Sequence, residues 1–224
     1  MKNWPTIPPR GVLKTIGKIL LILLVTQIPT AGNVGAAKVN ITANLPHVDI
    51  RIKGKAYRIE RIQNNANKLT NSFAKTSRPC PPFCIHPISV ADGVNTVGEI
   101  ELISFLKDKV EKGKGVLVDA RIPAFYKKGT IPGSVNIPFT LLSQGKNAYL
   151  GRILSILGAV KSGARSWNFS NARHLLLYCN GPWCDQSPRA IKGLLSAGFP
   201  AGKLFYYRGG MQNWQALGLT TIKP

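Results

Sequence analysis

Acidic side chains are scarce in this sequence: 9 Asp and Glu stand against 30 Lys and Arg in 224 residues, a formal net charge of +21. The excess is spread along the chain rather than packed in one tail, and a field of that sign favours anionic partners. Nucleic acid is the obvious anion. The sequence nevertheless has no aromatic-plus-basic RNP pattern, no zinc-finger spacing and no long Lys/Arg block, and we read no nucleic-acid partner. Small anions, an acidic protein partner and an anionic membrane surface fit at least as well. The plain reading is a solvated basic surface.

Cysteine and histidine are few, 4 and 3. The stretch "CPPFCIH" misses the haem-attachment pattern by one residue, and a single Cys-x3-Cys without a second pair is poor zinc spacing. No metal and no cofactor is expected. A disulfide is the leading reading of Cys80 and Cys84, within the pair or across to another cysteine, with a redox or metal role as its rival. The prolines between them favour extended backbone, which holds the two apart unless a turn intervenes.

Membrane-spanning length is also missing. The apolar run from Ile19 to Val25 is closed by Lys18 on one side and by Thr26, Gln27 and Pro29 on the other, much shorter than the ~20 residues a bilayer requires. Lys2, Arg10, Lys14 and Lys18 precede or bound that run and the small-residue stretch "PTAGNVGAA" follows it. This is the order of a secretory signal, with cleavage after Gly32 or Ala37. Residues 1–37 are therefore read as a signal peptide and the protein as exported, periplasmic or extracytoplasmic. An uncleaved N-terminal membrane anchor is the alternative, and membrane contact is expected only there. In an oxidising compartment the pairs Cys80/Cys84 and Cys179/Cys184 can each close as disulfides.

What is present suffices for a buried core, with 44% hydrophobic residues. Residues 48–62, "VDIRIKGKAYRIERI", alternate apolar and polar around a Lys-Gly-Lys turn, the pattern of a β-hairpin. "RPCPPFCIHP" carries too much proline for regular helix. A boundary near 91–95 separates a small N-terminal module, residues 38–94, from a larger domain, residues 95–224. No internal repeat is visible.

In the larger domain "TVGE" predicts a helix capped by Thr96, with Glu99 completing a capping box. Ile103, Leu106 and Val110 supply its apolar face. "GVLVDA", "HLLLYC" and "KLFYY" are short apolar runs of the kind buried on both faces of a parallel sheet. Helical stretches at 148–160 and 188–197 alternate with them, the second opened by Ser187 as cap and Pro188 at the first position. The fold class is α/β, a mostly parallel sheet flanked by helices and preceded by the hairpin-containing module. Sites in such sheets lie just beyond the carboxyl ends of strands, where Cys179 falls.

A cysteine followed by a loop that opens a helix meets unpaired backbone N–H groups and the positive end of the helix dipole, both of which favour thiolate. The candidate loop is Asn180, Gly181, Pro182, Trp183, Cys184, Asp185, Gln186 and Ser187, and a curl of amides there would cradle an anion. None of His47, His86 or His174 lies in it, and no base is required if the thiolate forms electrostatically. This reading needs the Cys179 sulfur to be solvent-reachable; the plain alternative is a buried, inert cysteine. Trp183 either walls the pocket or covers apolar surface. Asp119 and Arg121 read as a buried structural pair.

Four pieces, in order, resemble the rhodanese, or sulfurtransferase, domain. "VLVDARIPAFYKKGTIPGSVNIPF" is similar to the family's first signature and "LLLYC" to the strand that delivers its nucleophile. "SPRAIKGLLSAGFP" is similar to the helix after the loop, and "YYRGGMQNWQALGL" to the closing segment; together they span roughly residues 96–224. The resemblance implies that the Cys179 thiolate attacks a sulfane sulfur of thiosulfate or polysulfide, forms a persulfide and passes the sulfur to a thiophilic acceptor such as cyanide or a thiol. Two departures stand out. Seven residues separate Cys179 from Ser187, against about five in the family, and Cys184, Asp185 and Gln186 replace its usual basic or small residue. Cys184 is thus either the nucleophile or a resolving thiol. Rhodanese-like phosphatases need Cys-x5-Arg; that position is Asp185, which would repel phosphate, so phosphatase is rejected. The rival to an enzyme is a non-catalytic anion- or protein-binding module, or a thiol–disulfide redox protein using Cys179 and Cys184.

Overall fold

The computed structural model describes residues 38–143, 149–164 and 166–224. The signal-peptide and anchor readings, on residues 1–37, lie outside the described residues. Among those described, no helix is long and apolar enough to cross a membrane.

The chain opens with a hairpin, β1 (His47–Ile52) paired antiparallel with β2 (Lys55–Glu60). Lys53 and Gly54 both take positive φ at its turn, +48° and +81°, as a two-residue turn matched to strand twist requires. An irregular segment containing a 3-10 turn at Ser72–Ala74 follows. Next come β3 (Asn95–Val97), α1 (Glu99–Phe105, continued by a wider turn at Leu106–Val110), β4 (Gly115–Asp119), α2 (Pro123–Tyr126), β5 (Ser134–Asn136) and α3 (Phe139–Leu142). The chain then runs through α4 (Leu150–Ile156), a short pair β6 (Val160–Lys161) and β7 (Trp167–Asn168), β8 (His174–Tyr178), α5 (Gln186–Ser196), β9 (Leu204–Tyr207) and α6 (Gly210–Ala216).

Five strands form one parallel sheet in the order β3-β9-β8-β4-β5, so β8, which leads to Cys179, is central. Alternation along the strands feeds two cores. Val116, Val118, Leu175 and Leu177 point to one face, against Ile191 and Leu194 of α5. Leu117, Leu176 and Tyr178 point to the other, with Leu102 and Leu106 of the first helix and Trp214 of α6. The hairpin's Ile50 and Ile59, 2% and 0% exposed, are buried in that second core. Its trailing end is tied to the C-terminal segment by Ile62 N–H donating to Gly218 O (2.8 Å) and Thr220 N–H donating to Glu60 O (3.0 Å).

Two predicted helix starts differ from the structure. Thr96 is not a cap: it pairs in β3 with Tyr206 of β9, and its hydroxyl donates to Ile88 O at 2.7 Å. The helix begins after Gly98, whose N–H donates to Glu101 Oε2 at 3.0 Å, and Glu99 instead accepts the Tyr207 hydroxyl at 2.8 Å. A sheet partner far along the chain outweighs a local cap worth about 1 kcal/mol. Likewise α5 starts at Gln186 with Asp185 as N-cap, and the Ser187 hydroxyl is used elsewhere, on a sulfur.

Because Ile59 is sealed in the sheet's second core, Ile59→Ala should destabilise the whole chain by about 2–5 kcal/mol in denaturant unfolding. A cost near zero would mean that the hairpin contributes nothing to that core.

Candidate active site

The loop after β8 is held from below by α6. Met211 N–H donates to Cys179 O (3.0 Å) and Gln212 N–H to Asn180 O (2.9 Å). This close approach needs a glycine: at Gly210, φ is +57°, and a Cβ would meet Cys179 O at 2.5 Å and Gly181 N at 2.7 Å. Cys184 N–H turns back to Gly181 O (2.9 Å), closing the curl. The Trp183 indole N–H donates to Gln212 Oε1 (2.6 Å), while the Gln212 amide nitrogen donates to Phe73 O (3.3 Å).

One side of the loop is set by the first-signature residues. Arg121, 2% exposed, donates from Nε to Asp119 Oδ1 (2.9 Å) and from Nη2 to Asp119 Oδ2 and Gly129 O (both 2.6 Å), with a long contact to Asn180 Oδ1 (3.5 Å). Asp119 Oδ2 also accepts from the Thr130 hydroxyl (2.8 Å) and from the Tyr178 hydroxyl (3.1 Å). Burial works against the guanidinium charge, but the Asp119 bonds more than offset it and the net shift is upward. Asp119 and Arg121 thus tie the end of β4 to the loop.

Cys179 and Cys184 are free thiols, both buried. Burial pushes the Cys179 thiol up; hydrogen bonds to its sulfur from Cys184, the Ser187 hydroxyl and the Ser187 and Gly181 N–H groups outweigh this, and the net direction is down. The Ser187 hydroxyl lies 3.1 Å from that sulfur. One contact works the other way: the Cys184 carbonyl oxygen is 3.2 Å from it and accepts its proton in the neutral state. Cys184 is pushed up, first by burial and then by its neighbour Cys179. The two thiols therefore lose a first proton readily and a second with difficulty, as a pair.

Access differs from the sequence reading. The expected solvent-reachable sulfur at 179 is sealed, with 1% of the residue exposed. Cys184, at 5% exposed, lines a cavity of about 620 Å³ that Cys179 does not reach. Asn180, Trp183, Asp185 and Gln186 share that lining, with Arg121. Gly181 and Pro182 shape the curl instead, Pro182 O accepting from His86 N–H (2.9 Å). Asp185 pairs loosely with Arg189 (3.7 Å) on the exposed surface.

The rest of the lining was not legible in the sequence. Residues 71–86 fold over the loop as a roof, contributing Phe73, Arg78, Pro82 and Phe83 to the cavity. Phe83 meets Trp183 edge to face at 5.4 Å, and the Arg78 guanidinium lies 4.2 Å from the Trp183 ring centre. Cys80 and Cys84 are disulfide-bonded within the roof, their Cα atoms brought to 4.6 Å by a turn. Arg208 grips the roof, donating from Nη2 to His86 O (2.7 Å). The only sequence signal for the roof was its own proline and aromatic content. Among the described residues no cluster of His, Cys, Asp and Glu is arranged to hold a metal ion.

A family model described as the Rhodanese-like domain matches residues 103–217. Over 109 residues the chain is 29% identical to an HTH-type transcriptional regulator of Mycobacterium tuberculosis, covering 49% of this chain and 38% of that protein. The chain therefore spans less than two fifths of that relative. The human single-domain sulfurtransferase is 25% identical, with TM-score 0.36, over 55% of this chain and 96% of that one. A rhodanese-like domain from Anabaena is also 25% identical, with TM-score 0.38, over 58% of this chain and 79% of that one.

Ultraviolet titration of thiolate absorbance should show one of the two free thiols ionising below the ordinary thiol range and the other remaining protonated well above it. Ser187→Ala, by removing a donor to Cys179, should move the first step upward. An unmoved step would mean that the hydroxyl does not stabilise the anion.

Proposed function

This chain belongs to the rhodanese-like domain family, and from that membership we propose that it is an exported sulfurtransferase or persulfide carrier that takes a sulfane sulfur from thiosulfate or polysulfide. The observation that carries the reading is a pair of hydrogen-bonded thiols at the carboxyl end of the central strand, one of them on a cavity wall. Loop amides directed at both sulfurs favour an anion there, enough to lower Cys179 overall, while burial and Cys179 leave Cys184 raised. The Cys80–Cys84 disulfide supports an oxidising compartment.

Electrostatics favour the anion at Cys179, whereas access favours Cys184. We take Cys184 as the first attacker because it lies on the cavity wall and Cys179 does not; its raised pKa lowers the thiolate fraction about tenfold per unit. The Cys184 proton passes to Cys179 and the Cys184 thiolate attacks the outer sulfur of thiosulfate. The S–S bond of the donor breaks, sulfite leaves with the bonding pair, and Cys184 carries the persulfide. An acceptor such as cyanide or a thiolate then takes the outer sulfur and restores the Cys184 thiolate.

The closeness of the two thiols favours one second reading, a redox role. Cys179 thiolate attacks the inner sulfur of the Cys184 persulfide, forming a Cys179–Cys184 disulfide while hydrosulfide leaves.

Intact-mass analysis after thiosulfate treatment tests both. Cys184→Ser should abolish persulfide loading. Cys179→Ser should retain it, with the pH profile of loading moved upward because the easy first ionisation of the pair is gone, and should let the persulfide persist where the parent chain collapses to a disulfide. Loading lost in Cys179→Ser and kept in Cys184→Ser would reverse the order of attack. No loading of the parent chain by thiosulfate or polysulfide would sink the sulfurtransferase reading.

A further inference from the structure

The roof over the cavity is fastened at both ends. At its start Phe73 O accepts from the Gln212 amide (3.3 Å), and the Asn71 amide donates to Gln215 Oε1 (2.6 Å). At its far end His86 N–H donates to Pro182 O (2.9 Å) while Arg208 grips His86 O. Between these fastenings the chain bonds only to itself. Among the described hydrogen bonds, those of residues 74–85 all end within the roof: Ala74 on Asn71, Lys75 and Arg78 on Ser72, Phe83 on Pro79. The span meets the cysteine loop through side chains, Phe83 at 5.4 Å and the Arg78 guanidinium at 4.2 Å from the ring of Trp183, the neighbour of Cys184.

The Cys80–Cys84 disulfide closes this span. Pro82 and Phe83 stand inside its ring and on the cavity lining. Among the described hydrogen bonds, the other tie across the same turn is Phe83 N–H to Pro79 O (3.0 Å), and one neutral hydrogen bond near solvent holds weakly by itself. Cys80 is exposed and Cys84 half-buried, so a thiol in solution can reach the bond, and exposed disulfides are the labile, regulatory class. The other pair is the reverse: Cys179 and Cys184 are reduced and buried. A reductant in solution therefore meets the roof first.

We propose that the Cys80–Cys84 disulfide is a redox switch on access to Cys184: oxidised, it keeps Phe83 and Arg78 on Trp183 and confines the cavity to small reactants; reduced, it lets the roof lift and admits bulky ones. A dithiol works the switch. Its thiolate bonds to the Cys80 sulfur, the S–S bond breaks and Cys84 leaves as a thiolate. The second thiol of the dithiol then attacks the mixed disulfide, Cys80 leaves, and the reductant departs as its own disulfide. Two electrons pass to the roof, and its two thiolates take up the two protons that the dithiol lost. Access alone is at stake, so the switch stands whether or not Cys184 carries sulfur.

The test labels the full chain at one pH with two maleimides, N-ethylmaleimide and the far bulkier fluorescein maleimide, and follows Cys184 by peptide mapping. A thiol reached only through an opening reacts in proportion to the open population. Releasing a cross-link across so short a loop should raise that population on the order of tenfold. The double variant Cys80→Ser with Cys84→Ser removes the tie without adding thiols that compete for label. It should speed fluorescein labelling of Cys184 by about that factor and change N-ethylmaleimide labelling much less. Dithiothreitol reduction of the parent chain should do the same, and reoxidation should restore the slow rate. Equal fluorescein rates in the oxidised parent and the double variant would overturn the switch. So would an equal rise for both maleimides, which would mean a general loosening and no selection by size, and so would a Cys80–Cys84 bond that survives dithiothreitol in the folded chain. Should the double variant fail to fold, the reduced and reoxidised parent chain decides.

Discussion

A buried guanidinium must have its donors met, and the site is organised around that requirement at Arg121. Its bonds reach Asp119 at the end of β4, Gly129 beyond α2 and the Asn180 side chain at the start of the cysteine loop. Partners 2, 8 and 59 positions away along the chain are thereby fixed at one point. Removing either partner would leave an uncompensated buried charge, so the pair acts as a framework on which the sulfur chemistry is mounted rather than as part of that chemistry. The Thr130 and Tyr178 hydroxyls complete the Asp119 shell and extend the framework to the last residue of the central strand.

On that framework the loop does two things at once. Its amides and the Ser187 hydroxyl stabilise an anion on sulfur, and its curl hides that sulfur behind Cys184. Charge stabilisation and exposure, which coincide in an ordinary reactive cysteine, are divided between two side chains 5 residues apart.

The sheet and the position of the loop were readable because β4, β8 and β9 are buried on both faces and must be apolar throughout, a local signature of a global arrangement. Asp119 and Arg121 were readable for the same reason, as charges in an otherwise apolar frame. Thr96 and Ser187 were misread because they answer to partners that the local pattern does not contain: Thr96 pairs with a strand mate on β9 while its hydroxyl donates to Ile88 O, and the Ser187 hydroxyl meets a sulfur across the loop. The sealing of Cys179 was invisible for a related reason. Exposure belongs to the folded neighbourhood, and Trp183, Gln212 and the roof meet there only through tertiary contact. The Cys80–Cys84 stretch could be marked as irregular, but nothing in its spacing pointed to Trp183.

Gln212 binds the floor and the roof with one amide group, its oxygen taking the Trp183 indole proton and its nitrogen gripping the Phe73 carbonyl. Floor and roof are therefore not independent walls. Phe73 and Trp183 are thereby tied to one planar group, so a single side chain on α6 fixes the spacing of the two aromatic walls.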